Sequence, residues 1–173
     1  EEDLVELVVV VLAGVHQDVV DRGVQPLDDR RQPDDLGAGA DDVGAYAASM
    51  PLVAEPGSPE AFVYSSGTTN IIAANLQRVL GLDADGMDAF LRKRIFDPIG
   101  VTSLRAQFDP AGTFIGSSYV WANLRDWCRF GLLAARGGRW GDQEIVPATW
   151  IDEARTGRSW DTEVIHGAQW WTW

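Results

Sequence analysis

Tyr64, Ser65 and Ser66 stand together in the run Tyr64-Ser65-Ser66-Gly67-Thr68-Thr69-Asn70, and a second pair of hydroxyls, Ser117-Ser118, follows Gly116. A phenol and a group of alcohols can act as nucleophiles or proton carriers, but only beside a group that takes or holds a proton. The chain's single lysine, Lys93, has Phe90 three residues before it, so no Ser-x-x-Lys occurs. There is no Gly-x-Ser-x-Gly elbow either, and neither Ser117 nor Ser118 has a lysine or histidine placed by sequence to activate it. His16 and His166 are too few and too isolated for a metal site, so neither a metal nor a cofactor is expected. Cys128 is the one cysteine, which excludes an internal disulfide and a thiolate cluster; a buried helix face is its expected place.

The elements that must position these groups are legible from Met50 onward. The polar run from Tyr64 to Asn70 leads into Ile71, Ile72, Leu76, Val79 and Leu80, a helical spacing closed by Gly81, so Tyr64 is expected at a helix entrance. A second helix is expected from Asp85, with Met87, Phe90, Leu91 and Ile95 on one face and Arg92, Lys93 and Asp97 pointing away, ended by Pro98 and Gly100. A third begins near Asn123, with Asp126 as its capping partner. It is expected to bury Leu124, Trp127, Cys128, Gly131 and Leu132 before Gly137-Gly138 stops it. Arg139 to Val146 reads as a hairpin or short extended stretch, and Pro147 opens a fourth helix through Trp150 and Ile151. Strands are expected near Tyr64, from Gly141 to Val146 and from Gln169 to Trp173, with His166-Gly167-Ala168 in the loop before the last.

The 173 residues carry a net charge of -12, which argues against a nucleic-acid partner, because phosphate binding draws on Lys and Arg. The longest apolar run, Val8 to Val15, is too short to span a bilayer and follows acidic rather than basic residues, so neither a membrane segment nor a signal peptide is expected, and location stays open. All aromatic residues lie at or after Tyr46, whereas residues 1–45 hold twelve Asp and Glu. That break divides the chain into an acidic segment, 1–45, and a globular part, 46–173. Leu4 to Val20 fits helix or strand, and from about Gly23 to Gly44 irregular chain is expected.

The run from Phe62 to Asn70, then Ile95 to Thr102, Gly112 to Tyr119, Asp126 to Gly131 and Ile145 to Trp150, resembles in this order the middle of serine hydrolases of the class C β-lactamase and penicillin-binding-protein family. The likeness covers roughly Tyr46 to Trp173 and is greatest to the esterase and 6-aminohexanoate-dimer-hydrolase-like branch. It implies an α+β chain: part of a β-lactamase/transpeptidase-like fold, mainly its helical part with a few strands. It also implies acylation of a serine by a small ester, amide or lactam. In that family Ser-x-x-Lys supplies the nucleophile, a Tyr-x-Asn or Tyr-x-Ser motif a proton-shuttling phenol, and a Lys-Thr-Gly or His-x-Gly strand part of the oxyanion hole. The resemblance makes Tyr64 the catalytic phenol and Ser66 the third position of its motif, where serine shortens the asparagine side chain that would contact substrate. Gly116-Ser117-Ser118 resembles the small-residue turn bordering the cleft, which makes Ser117 and Ser118 candidate substrate contacts.

The first and third motifs are not found in the sequence, so an incomplete and inactive copy is expected. A disrupted reading frame or misplaced start explains the unmatched front better than a decayed homologue. Two other readings are a non-catalytic binding or scaffold protein of the same fold, and a carbohydrate-binding module using Trp160, Trp170, Trp171 and Trp173. Packing is the expected role of those tryptophans, with Trp171 and Trp173 on one side of a strand.

Overall fold

A computed structural model describes residues 40–51, 54–55, 65–156, 158–159, 165–168 and 170–172. Five α-helices stand among the described residues: α1 (Val43–Ser49), α2 (Ser66–Leu80), α3 (Ala84–Leu91), α4 (Leu124–Ala135) and α5 (Ala148–Arg155). The antiparallel hairpin β1 (Arg139–Trp140) and β2 (Gln143–Glu144) links α4 to α5, and a small antiparallel sheet of β3 (Arg158–Ser159), β4 (Ile165–His166) and β5 (Trp171–Thr172) follows. Mixed helix with small sheets agrees with the expected α+β class. The expected strand near Tyr64 and the region Leu4 to Val20 lie outside the described residues, as do Trp160 and Trp173.

Helix α2 starts at Ser66, earlier than the sequence suggests, because the Ser65 side chain caps it by accepting from the Gly67 N–H at 3.1 Å. Polar Ser66, Thr68, Thr69 and Asn70 are therefore helical rather than turn. Gly81 ends it at φ 65, where its N–H and that of Leu82 close the last turn onto Arg78 and Gln77. The inward face is Thr69, Asn70, Ala73, Leu76 and Gln77, while Val79, expected on the apolar face, is exposed. The interior of α2 therefore carries the amides of Asn70 and Gln77 among its apolar groups. Gln77 donates to the Gly112 carbonyl at 2.7 Å and accepts from the Phe114 N–H at 3.0 Å, fixing the loop that carries Phe114 into the core.

Helix α1 corrects the expectation of irregular chain up to Gly44. Asp42 caps it by accepting from Ala45 at 2.8 Å, and the Val43 N–H donates to the buried Asp109 carboxylate at 2.9 Å. It packs on α2 so closely that a Cβ on Gly44 would lie 2.6 Å from Ala74 Cβ. Residues 23–39 of that acidic stretch lie outside the described residues.

Asp83 caps α3 through the Gly86 N–H, and the helix continues as a π-turn over Arg92–Phe96, with Asp97 N–H reaching the Arg92 carbonyl. The widened turn lets Ile95 and Phe96 both join Met87 and Leu91 in the core. Arg92 does not point away as expected: it bonds Asp88 at 2.6 Å and reaches the Leu104 carbonyl at 2.9 Å.

Helix α4 runs over the expected residues, with Asn123 as its cap, accepting from the Asp126 N–H at 2.9 Å. Its rotation differs from the expectation. The buried residues are Asp126, Phe130, Leu133 and Ala134, whereas Leu124, Leu132 and Cys128 are exposed. The helix has two apolar lines and only one can face inward; the buried Asp126 carboxylate decides which. It accepts from Thr102 N–H (3.0 Å), Ser103 N–H (2.8 Å) and Ser103 Oγ (2.7 Å), and pairs with Arg129. Cys128 is consequently a surface thiol.

Hydrogen bonds from the Ser103 backbone and hydroxyl, with smaller help from Thr102 and Arg129, hold the Asp126 carboxyl at about 2 against an ordinary 3.8. A depressed folded pKa stabilises above the unfolded value and is lost as pH falls through the folded one. The expected result is that the denaturation-midpoint gap between the chain and Asp126→Asn is full at pH 5 and narrows between about pH 4 and pH 2. A gap independent of pH would show that the ionised form is not what Thr102 and Ser103 hold.

Pro147 stands at the cap of α5, its carbonyl accepting from Trp150 and Ile151 N–H. His166, expected in a loop, lies in β4, which is hydrogen-bonded to both β3 and β5. The Gly167-Ala168 turn follows it, tied to α5 by the Ala168 N–H on the Ala154 carbonyl at 2.9 Å.

Candidate functional site

Ser66 lies in the N-terminal half of α2, and the segment carrying Ser117 and Ser118 is bonded to it. Tyr64 lies outside the described residues, but its neighbour Ser65 is the cap and Ser66 is the first helical residue, half-buried. One turn on, Asn70 is fully buried, and its Oδ1 accepts the Ser117 N–H at 3.2 Å across 47 residues of sequence. The structure therefore brings Ser117 and Ser118 to the helix that Ser65 and Ser66 begin.

Both serines are interior, at 4% and 2% exposure. Their hydroxyls and the Asn70 Nδ2 have no hydrogen-bond partner among the described residues. Directly after them Tyr119 holds φ 60, a left-handed conformation unusual for a residue with a side chain. A buried polar cluster next to a strained residue is more often seen at a functional site than in a plain core. An unpaired buried hydroxyl costs about 1–3 kcal/mol, so Ser118→Ala is expected to leave the melting temperature unchanged or raise it. A fall of several degrees would mean that Ser118 has a structural partner and that the cluster is ordinary packing.

An open groove of about 390 Å³ lies between α1 and α2, lined by Asp42, Ala45, Ala74, Asn75 and Arg78 among others. None of Ser66, Ser117 and Ser118 lines it. Among the described residues no group of three acidic, His or Cys side chains could hold a metal, and no helix is long and apolar enough to cross a membrane.

Sequence reading missed Asn70 and Asp126 as side chains that fasten distant stretches, as Gln77 and Asp109 also do. Asn70 reads as one more polar residue of a turn, and Asp126 as half of a cap. A usable signal was present for Asp126: an acid at the third position of a helix already capped by Asn123 is available for another partner.

Compared with known proteins, the chain matches no protein-family model and no curated protein.

Proposed function

We propose that the chain is the central part of a β-lactamase-related serine hydrolase that cleaves ester, amide or lactam bonds through an acyl-enzyme, here as an incomplete copy without activity of its own. The observation that carries this reading is the pairing of the stretches that resemble the family. Asn70, closing the tyrosine-bearing run, accepts from Ser117 of the small-residue run. Asp126, opening the fourth run, accepts from Thr102 at the end of the second. Val146 of the fifth is buried in the same core. Separate motifs tied together by polar bonds are what a shared site requires, and that supports the reading.

Tyr64 would pass a proton between the serine and the leaving group, Ser66 would meet substrate, and Ser117 and Ser118 would border the cleft from behind. A phenol of ordinary acidity, near pKa 10, is a weak base at neutral pH and needs a positive neighbour to act. The sequence offers no lysine one turn after a serine. The chain by itself is expected to hydrolyse neither nitrocefin nor p-nitrophenyl acetate faster than its Tyr64→Phe variant. Turnover by the chain that the variant lacks would show that a nucleophile is present after all.

A further inference from the structure

The outward side of α4 is apolar with a basic margin. Leu124 is 80% exposed and Leu132 40%, and Cys128 and Ala135 are exposed with them. At about 100° per residue these four share an arc of roughly 80°. Trp121, 61% exposed, stands two residues before the helix cap. Along one edge of the arc lie Arg125, Arg129 and Arg136, the last 5.4 Å from the Trp140 ring. From Leu124 to Trp140 there are four arginines and a single acid, the buried Asp126; Arg129 pairs with Asp126 and Arg139 with Glu144, which leaves Arg125 and Arg136 without an ion pair among the described residues. In a chain of net charge -12 this basic and apolar strip is a local reversal.

We propose that this face docks an acidic amphipathic helix of another protein, with leucine-like side chains over Leu124, Cys128 and Leu132 and carboxylates on Arg125 and Arg136. Charge decides between occupants. A second copy packed antiparallel about a two-fold axis would set both arginine edges on the same side, where they repel. An anionic lipid surface would meet the strip favourably and the rest of a strongly acidic chain unfavourably. An acidic helix meets only the strip, laying apolar side chains at i, i+4 and i+8 against those of α4.

The test uses Cys128 as a reporter at the centre of the face. An 18-residue Leu/Glu amphipathic peptide and its Leu/Lys counterpart are titrated onto the full chain, with anisotropy reporting binding and the rate of reaction with Ellman's reagent reporting cover. The expected result is fast thiol reaction in the free chain, slowed by the Glu peptide and not by the Lys peptide. Leu124→Ser, Leu132→Ser and Arg125→Glu are each expected to weaken binding about tenfold, and added salt to weaken it further. The substituted leucines are exposed, so unchanged circular-dichroism melts are expected. Equal binding of both peptides, or no protection at millimolar peptide, overturns the proposal. So does a thiol already slow in the free chain, a dimer that Leu132→Ser dissolves, or tighter binding to phosphatidylglycerol vesicles.

Discussion

Changing Tyr64 to Phe in a chain supplied with the two motifs it lacks is expected to cut esterase turnover roughly 10²–10⁴-fold, the span of a positioned general acid–base group. The chain would be preceded in frame by the Ser-x-x-Lys front of an esterase from the family it resembles and followed by that enzyme's His-x-Gly or Lys-Thr-Gly strand. The lysine and the third motif provide the positive field that makes a phenol useful at neutral pH, so the loss should fall on kcat more than on KM. Asn70→Ala gives a second arm. It removes the acceptor for the Ser117 N–H and is expected to lower turnover through misplacement of the α2 entrance. Turnover that survives Tyr64→Phe unchanged would remove the role assigned to this residue.

Gly138→Ala is expected to damage the fold severely, at about 3 kcal/mol or more. Gly138 holds φ +80, and a Cβ there would run into the Val146 carbonyl. Its own N–H caps α4 on the Leu133 carbonyl at 2.9 Å, while its carbonyl accepts from Ile145 (2.9 Å) and Val146 (3.1 Å). Relief of the clash must move the hairpin and with it Val146, a fully buried core residue. Gly141 is the control. It also has positive φ, 60, but open space where the Cβ would go, so Gly141→Ala is expected to cost only about 1–2 kcal/mol. Thermal melts of the two variants settle the matter: equal shifts would mean that backbone conformation alone, and not the approach of Val146, makes Gly138 necessary.

Local signals carried the helices well. Gly81, Asn123 and Pro147 mark helix ends because their chemistry acts over three or four residues, and those ends stand where their sequence signatures place them. The rotation of α4 was not legible. Leu124, Cys128 and Leu132 form as good an apolar line as Phe130, Leu133 and Ala134, and what separates the two is a contact between Asp126 and Ser103, 23 residues away. The early start of α2 was hidden for a similar reason. Serine, threonine and asparagine suit turns in isolation. Here the Ser65 hydroxyl caps the helix and the Asn70 Oδ1 accepts from Ser117, so these oxygens are used without breaking it. Helix α1 escaped notice because its anchors, Asp109 and Ala111, lie more than sixty residues downstream. The candidate site was legible as residue types in order, and the bonds that join them were not.

The central claim is that this chain belongs to an enzyme that acylates a serine, with Tyr64 serving that serine. Intact-mass analysis of the supplemented chain after exposure to a fluorophosphonate tests it most directly, since the reagent stays on an activated serine and needs no knowledge of the substrate. The expected result is one adduct, on the serine of the supplied Ser-x-x-Lys, formed much more slowly in Tyr64→Phe, and none on the unsupplemented chain. An adduct formed equally fast with and without the Tyr64 hydroxyl, or no adduct on a supplemented chain shown by its melt to be folded, would contradict it.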